Sequence, residues 1–283
     1  MSPRPLLLLT LCLLVGTTLW VWGKRCALQP GGKSDTDQSA QSPGVSLDVR
    51  TVLASKIEGL DPKDRQNFLK VQASLDSLGD RPAQSAGVWK SLSSFWLTRE
   101  DLLGAALCLD MASDLQPTSD DFRDAGLYYG SAVHSLMEED SATATFCRNQ
   151  STVMLAKALE SKPDDLDLKA DWANALVQSS PAPMQGVQVL LEIIRTEPKH
   201  LKAHSHLAKL AIESGQFPKA IARFKNLLSW YPSLGSAYLG LGEAYFRIGN
   251  KDSAVIYLQQ YRGLVQDPET QQQIDNYLRQ INP

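Results

Sequence analysis

LKAHSHLAKLAIESGQFPKAIARFKNLLSWYPSL, residues 201–234, decides the fold. Leu207, Ala208 and Ala211 fall on one face of a first helix, and Gly215 turns the chain. Ala220, Phe224 and Leu227 then line a second helix that Pro232 stops. The next stretch repeats the scheme with Tyr238, Leu241, Gly242 and Tyr245, then Gly249, then Ala254 and Leu258. Prolines mark the period: Pro163 to Pro198 is 35 residues, Pro198 to Pro232 is 34, and Pro232 to Pro268 is 36. Small residues recur where two helices must approach closely, and large ones fill the gaps between turns. From Ser46 onward no alternating apolar strand of convincing length interrupts the helical pattern.

Nearer the N-terminus, Trp89-x2-Leu92-Ser93-x2-Trp96 is followed without a gap by Ala105, Leu109, Ala112 and Pro117. This spacing resembles the tetratricopeptide-repeat (TPR) family, whose 34-residue helix–turn–helix carries W-x2-L-G-x2-Y, alanine, a large apolar residue, alanine and proline. Glu100 stands where the turn glycine is usual. Trp172, Ala173, Leu176, Gly186, Leu190 and Pro198 form a looser unit, with Ile193 at a small-residue position and one extra residue in the Ser179–Met184 loop. Between Pro117 and Pro163 lies a 46-residue unit. There Phe122, Tyr129 and Val133 suit a first helix, and Met154, Leu155, Ala158 and Leu159 a second; its insertion lengthens a helix or forms a loop around Glu138–Gln150. The expected fold is all-α: a transmembrane helix, a helical hairpin, then an α-solenoid of about five repeats. The divisions are 46–82 for the hairpin and 83–283 for the repeat domain, with repeats at 86–119, 120–165, 166–200, 201–234 and 235–268. A capping helix occupies 269–283, with Leu278 and Ile281 inward and Gln271–Gln273 facing water. The layout also looks like bacterial single-anchor TPR proteins, among them relatives of assembly factors for c-type cytochromes and of secretion factors.

Pro5 to Gly23 is 19 positions without a charge, a helix of roughly 28 Å at about 1.5 Å per residue. Trp20 and Trp22 suit an interfacial belt, and no small-x-small site favours cleavage. Residues 1–25 are therefore expected to be an uncleaved anchor, and 26–45, rich in Gly, Ser, Pro, Gln and Asp, a flexible linker. Lys24, Arg25 and Lys33 outnumber the basic groups on the other flank, which favours a cytoplasmic domain. Short N-terminal anchors nevertheless usually export the domain behind them. The expectation is a single-pass protein of the bacterial inner membrane with a periplasmic repeat domain. Gly32-Lys33-Ser34 lacks the first glycine and preceding strand of a phosphate-binding loop.

Little in the sequence suggests chemistry. A net charge of -3 gives no footprint for nucleic acid. Cys12, Cys26, Cys108 and Cys147 show no metal-type spacing, and a Cys108–Cys147 bridge would require an oxidising compartment. His200, His204 and His206 form the most metal-like cluster, without an H-E-x-x-H or a third carboxylate ligand; His204 sits where the family places tryptophan, a packing position. His134 has no nucleophile motif near it. Asn149-Gln150-Ser151 fits a glycosylation acceptor. The reading is non-enzymatic, with no cofactor and no metal; a metal-dependent enzyme is the alternative of a different class.

The resemblance implies a protein-binding groove lined by the first helix of each repeat. Carried onto this chain, the groove positions are Lys90, Ser94, Asn174, Gln178, Lys202, Ser205, Lys209, Leu239, Glu243, Phe246 and Arg247. The clamp that some relatives use for C-terminal carboxylates needs asparagine where Ser94 stands. A protein or peptide partner is implied, in a scaffold or, more narrowly, in an assembly factor or holdase for cytochrome maturation or secretion.

Overall fold

A computed structural model describes residues 47–136, 140–179 and 183–281. The expected anchor at 1–25 and linker at 26–45 lie outside the described residues. Among the described residues no helix is long and apolar enough to cross a membrane, and all thirteen regular elements are α-helices.

The chain enters through α1 (Val49–Glu58), capped by Asp48, whose side chain accepts from the Thr51 amide at 2.8 Å. Asp61 caps α2 (Pro62–Leu78) in the same way, with proline at the first helical position where no amide is needed. Helix pairs follow in strict succession: α3 (Pro82–Leu97) with α4 (Leu102–Leu115), α5 (Ser119–Leu136) with α6 (Ser141–Ser161), and α7 (Leu166–Ser179) with α8 (Met184–Thr196). Next come α9 (Leu201–Glu213) with α10 (Phe217–Trp230), then α11 (Gly235–Arg247) with α12 (Lys251–Leu264), and α13 (Pro268–Ile281) closes the stack. From α2 onward each helix packs mainly on its neighbours in sequence, as expected for a solenoid, whereas α1 packs chiefly on α4 and little on α2.

The insertion lengthens both helices of its unit: α5 has 18 residues and α6 has 21, against 13 or 14 in each of α7–α12. Residues 141–150 are helical and do not form a loop, because Asp140 caps α6 by accepting from the Ala142 and Thr143 amides. Gly126 and Gly130 let α5 and α6 meet closely, since a Cβ on Gly126 would lie 2.7 Å from the Leu155 side chain. Ser151 Oγ donates to the Gly126 carbonyl across that seam at 2.8 Å. The Asn149–Ser151 acceptor pattern is thus helical, with Asn149 exposed and its serine buried. Cys108 and Cys147 are both buried free thiols, pushed up to about 12 chiefly by burial.

In α13 the buried pair is Ile274 and Ile281; Leu278 is only half-buried. Gln271 does not simply face water: its Nε2 donates to the Val265 carbonyl at 2.6 Å, while Gln272 and Gln273 are exposed.

Glu100 adopts φ +58°, beside +72° at Gly215 and +83° at Gly249 in later turns of the same kind. A side chain there meets the steric penalty of the left-handed region, which glycine escapes. Glu100→Gly should therefore raise stability by about 0.5–1 kcal/mol after allowing for the looser unfolded chain. Urea unfolding reads this directly, and an unchanged or lower midpoint would show that the turn is not strained.

Candidate functional site

The period places equivalent residues of successive first helices side by side. Asp171, Asn174 and Gln178 on α7 precede His206, Lys209 and Glu213 on α9 by 35 residues each. These two rows and the α5 segment around Gly126–His134 enclose a cleft of about 270 Å³. Its floor is apolar, with Leu127, Leu155 and Leu190; its rim is amide, imidazole, ammonium and carboxylate.

Asp171 is the polar anchor of that rim. Its carboxylate is buried, accepting from Lys202 Nζ at 2.6 Å, with His206 Nε2 at 3.4 Å. Burial alone would raise this carboxyl, but the His206 and Lys202 contacts together outweigh it and hold Asp171 below the usual carboxylate range. A buried charge paired on both oxygens ties α7 to α9 and fixes the spacing of the rim.

Of the eleven groove positions read from the sequence, Asn174, Gln178 and Lys209 line this cleft, and Lys202 reaches it through Asp171. Ser205 is half-buried on α9. The others lie elsewhere. Lys90 is paired with Asp121 at 2.7 Å, and Ser94 Oγ donates to the Lys90 carbonyl at 3.2 Å. Leu239 is exposed on α11, where Glu243 and Arg247 pair at 3.7 Å. Phe246 packs edge-on against Tyr277 of α13 at 5.9 Å, and the Arg247 guanidinium lies 5.2 Å from the Phe217 ring centre. Asp171, His206 and His134 were missed as groove residues. The shared 35-residue offset was the available signal for the first two.

Each imidazole of the histidine cluster has a separate partner. His200 Nδ1 accepts from the Ala203 amide at the start of α9, at 3.3 Å, with Asp167 Oδ1 3.5 Å from its other nitrogen. His204 Nε2 donates to the Pro198 carbonyl at 3.0 Å, and its ring packs edge-on to Trp230 at 5.0 Å. Burial chiefly lowers its affinity for a proton. Among the described residues no group of three or more His, Cys, Asp or Glu is arranged to hold a metal.

Residues 211–273 match the tetratricopeptide-repeat family model, and they are the segment whose helix pairs and glycine turns set the period. The chain carries tetratricopeptide repeats. Among solved structures, this TPR chain is similar to PilW, a type IV pilus biogenesis factor, at 16% identity over 80% of this chain and 96% of that one, TM-score 0.49. It is also similar to MamA, at 18% identity over 63% and 91%, TM-score 0.41. YrrB, described as a TPR protein with an unusual peptide-binding site, gives 16% over 73% and 97%, TM-score 0.38. No curated protein matches the sequence.

Proposed function

We propose that this TPR chain is a membrane-anchored, non-enzymatic scaffold that holds a protein or peptide partner in the cleft between α5, α7 and α9. The observation carrying the proposal is the convergence of Asn174, Gln178 and Lys209, from two repeats, over an apolar floor. Side-chain amides one helical turn apart offer donors and acceptors to a partner's main chain, and the floor offers apolar area for one side chain. The uncharged run from Pro5 to Gly23 supports the anchor. The repeats are placed on the periplasmic side of a bacterial inner membrane as part of the proposal, because short N-terminal anchors usually export the domain behind them.

The test is co-purification from native membranes in mild detergent, comparing wild type with Asn174→Ala/Lys209→Glu. Lys209 is exposed and Asn174 half-buried, and neither takes part in the Asp171–Lys202–His206 contacts, so the variant should fold as wild type by circular dichroism. A discrete partner retained by wild type and lost by the variant is the expected result. The same partner recovered with both would remove the cleft from the proposal. Phe246 is unsuitable as a probe, because its truncation would disturb the α11–α13 packing.

A further inference from the structure

We infer that the outer face of α2 rests on an anionic lipid surface. The inference builds on the proposed anchor, and it concerns the end of the stack nearest that anchor in sequence.

The two ends of the stack differ. At the C-terminal end α13 turns Gln272, Gln273, Asn276, Arg279 and Gln280 outward, the polar finish that a terminal repeat needs for solubility. At the N-terminal end α2 buries one residue of its 17, Phe68. Its ring packs against Phe95 at 5.6 Å and Trp96 at 5.7 Å. The remaining surface includes a continuous face of Pro62, Arg65, Gln66, Leu69 and Lys70, at the i, i+3, i+4, i+7, i+8 spacing of one helix side, with Leu60 beside it. Leu69 is 44% exposed.

Charge selects the occupant. Asp64 is taken by Arg99, whose Nη2 lies 2.5 Å from its carboxylate, and Asp61 is spent on capping the helix. Lys63, Arg65 and Lys70 have no ion-pair partner among the described residues. An apolar residue flanked by unpaired cations is the chemistry of an interfacial helix, in which lysine and arginine meet headgroups and a leucine enters the boundary. Asp76 continues the face toward the C-terminal end of α2, which confines the contact to the first half of the helix. Each cation brought to an anionic surface favours contact by about five-fold.

The experiment uses the full chain reconstituted into phosphatidylcholine vesicles, with and without phosphatidylglycerol at roughly 30% to supply the surface charge. Amide hydrogen exchange is followed in α2 and, as control, in α13. Exchange should slow in residues 62–70 only on the anionic vesicles, and Arg65→Gln/Lys70→Gln should weaken that protection about 25-fold, two cations' worth. Equal exchange on both vesicles, or protection that survives the double variant, would overturn the inference. So would protection found in native membranes but not in pure lipid, which would assign the face to a protein. Carbonate extraction of the chain from the vesicles tests the anchor separately. If it is extracted, the anchor fails, and α2 is judged by the same two-composition comparison with the full chain added from outside.

Discussion

Trp96→Ala should be the most damaging single change, removing about 3–5 kcal/mol of stability, the range for deleting a buried tryptophan side chain. Trp96 is 2% exposed and sits at the junction of three helices: Phe68 of α2 and Phe95 of α3 pack on its ring, and α4 passes directly across it at Gly104. No alanine fits at Gly104, because its Cβ would lie 2.3 Å from the indole. Truncating Trp96 should free α2 as well as α3, so amide exchange should rise across residues 62–97 while α9–α13 stay protected, since repeats couple mainly to their neighbours. Gly104→Ala should be harmful in the wild-type background and tolerated beside Trp96→Ala, where the methyl enters the vacated space. A double-mutant cycle by urea unfolding measures that coupling. Additive effects would mean that α4 can move away from the indole.

The same residues show how far the sequence could be read. The period was legible because it records a hard constraint: Ala208, Gly242 and Ala254 are small where two helices touch, and Phe224 and Leu258 fill the space between. Where a unit departs from the period, the helical spacing did not show which helix absorbs the insertion. That outcome depends on the Gly126–Leu155 approach and the Asp140 cap, both contacts across a hairpin. The candidate site was less legible. Family positions mark the side of a first helix, but not whether a side chain there is already engaged. Lys90 and Arg247 are spent on Asp121 and Phe217, and Phe246 on Tyr277, partners lying about 30 residues away in the chain. Asp171 was passed over because acidic residues on helices usually face water. Only the arrival of Lys202 and His206 from the next repeat makes its burial tolerable.

Asp110→Asn should change the pH dependence of stability, and in a direction opposite to that of the chain's paired carboxylates. Asp110 is 3% exposed and accepts a hydrogen bond from the Tyr129 hydroxyl at 2.9 Å. Burial above all, with Asp114 nearby, pushes its carboxyl up to about 6, against the pull of the Tyr129 hydrogen bond and Lys157. Because the folded value lies above the unfolded one, the folded state holds a proton that the unfolded chain has released between about pH 4 and pH 6. Stability from this group therefore falls as pH rises through that window. A separation of about two pH units corresponds to roughly 3 kcal/mol, missing in full above pH 6. Asp48, Asp61 and Asp140, held low chiefly by hydrogen bonds to their helix amides or neighbouring threonine, act in the other direction and lose their contribution in acid. Total stability thus mixes both signs, and the difference between variant and wild type isolates Asp110. Asparagine keeps an oxygen for the Tyr129 hydroxyl and carries no charge, but its amide brings two buried N–H donors where the protonated carboxyl has one, offsetting about 1–2 kcal/mol. The variant should therefore be less stable than wild type near pH 4 and more stable by about 1–2 kcal/mol at pH 7.5, with the curves crossing between. Urea midpoints across that range decide it: parallel curves would mean that Asp110 is ionised in the folded core, paired with a group other than Tyr129.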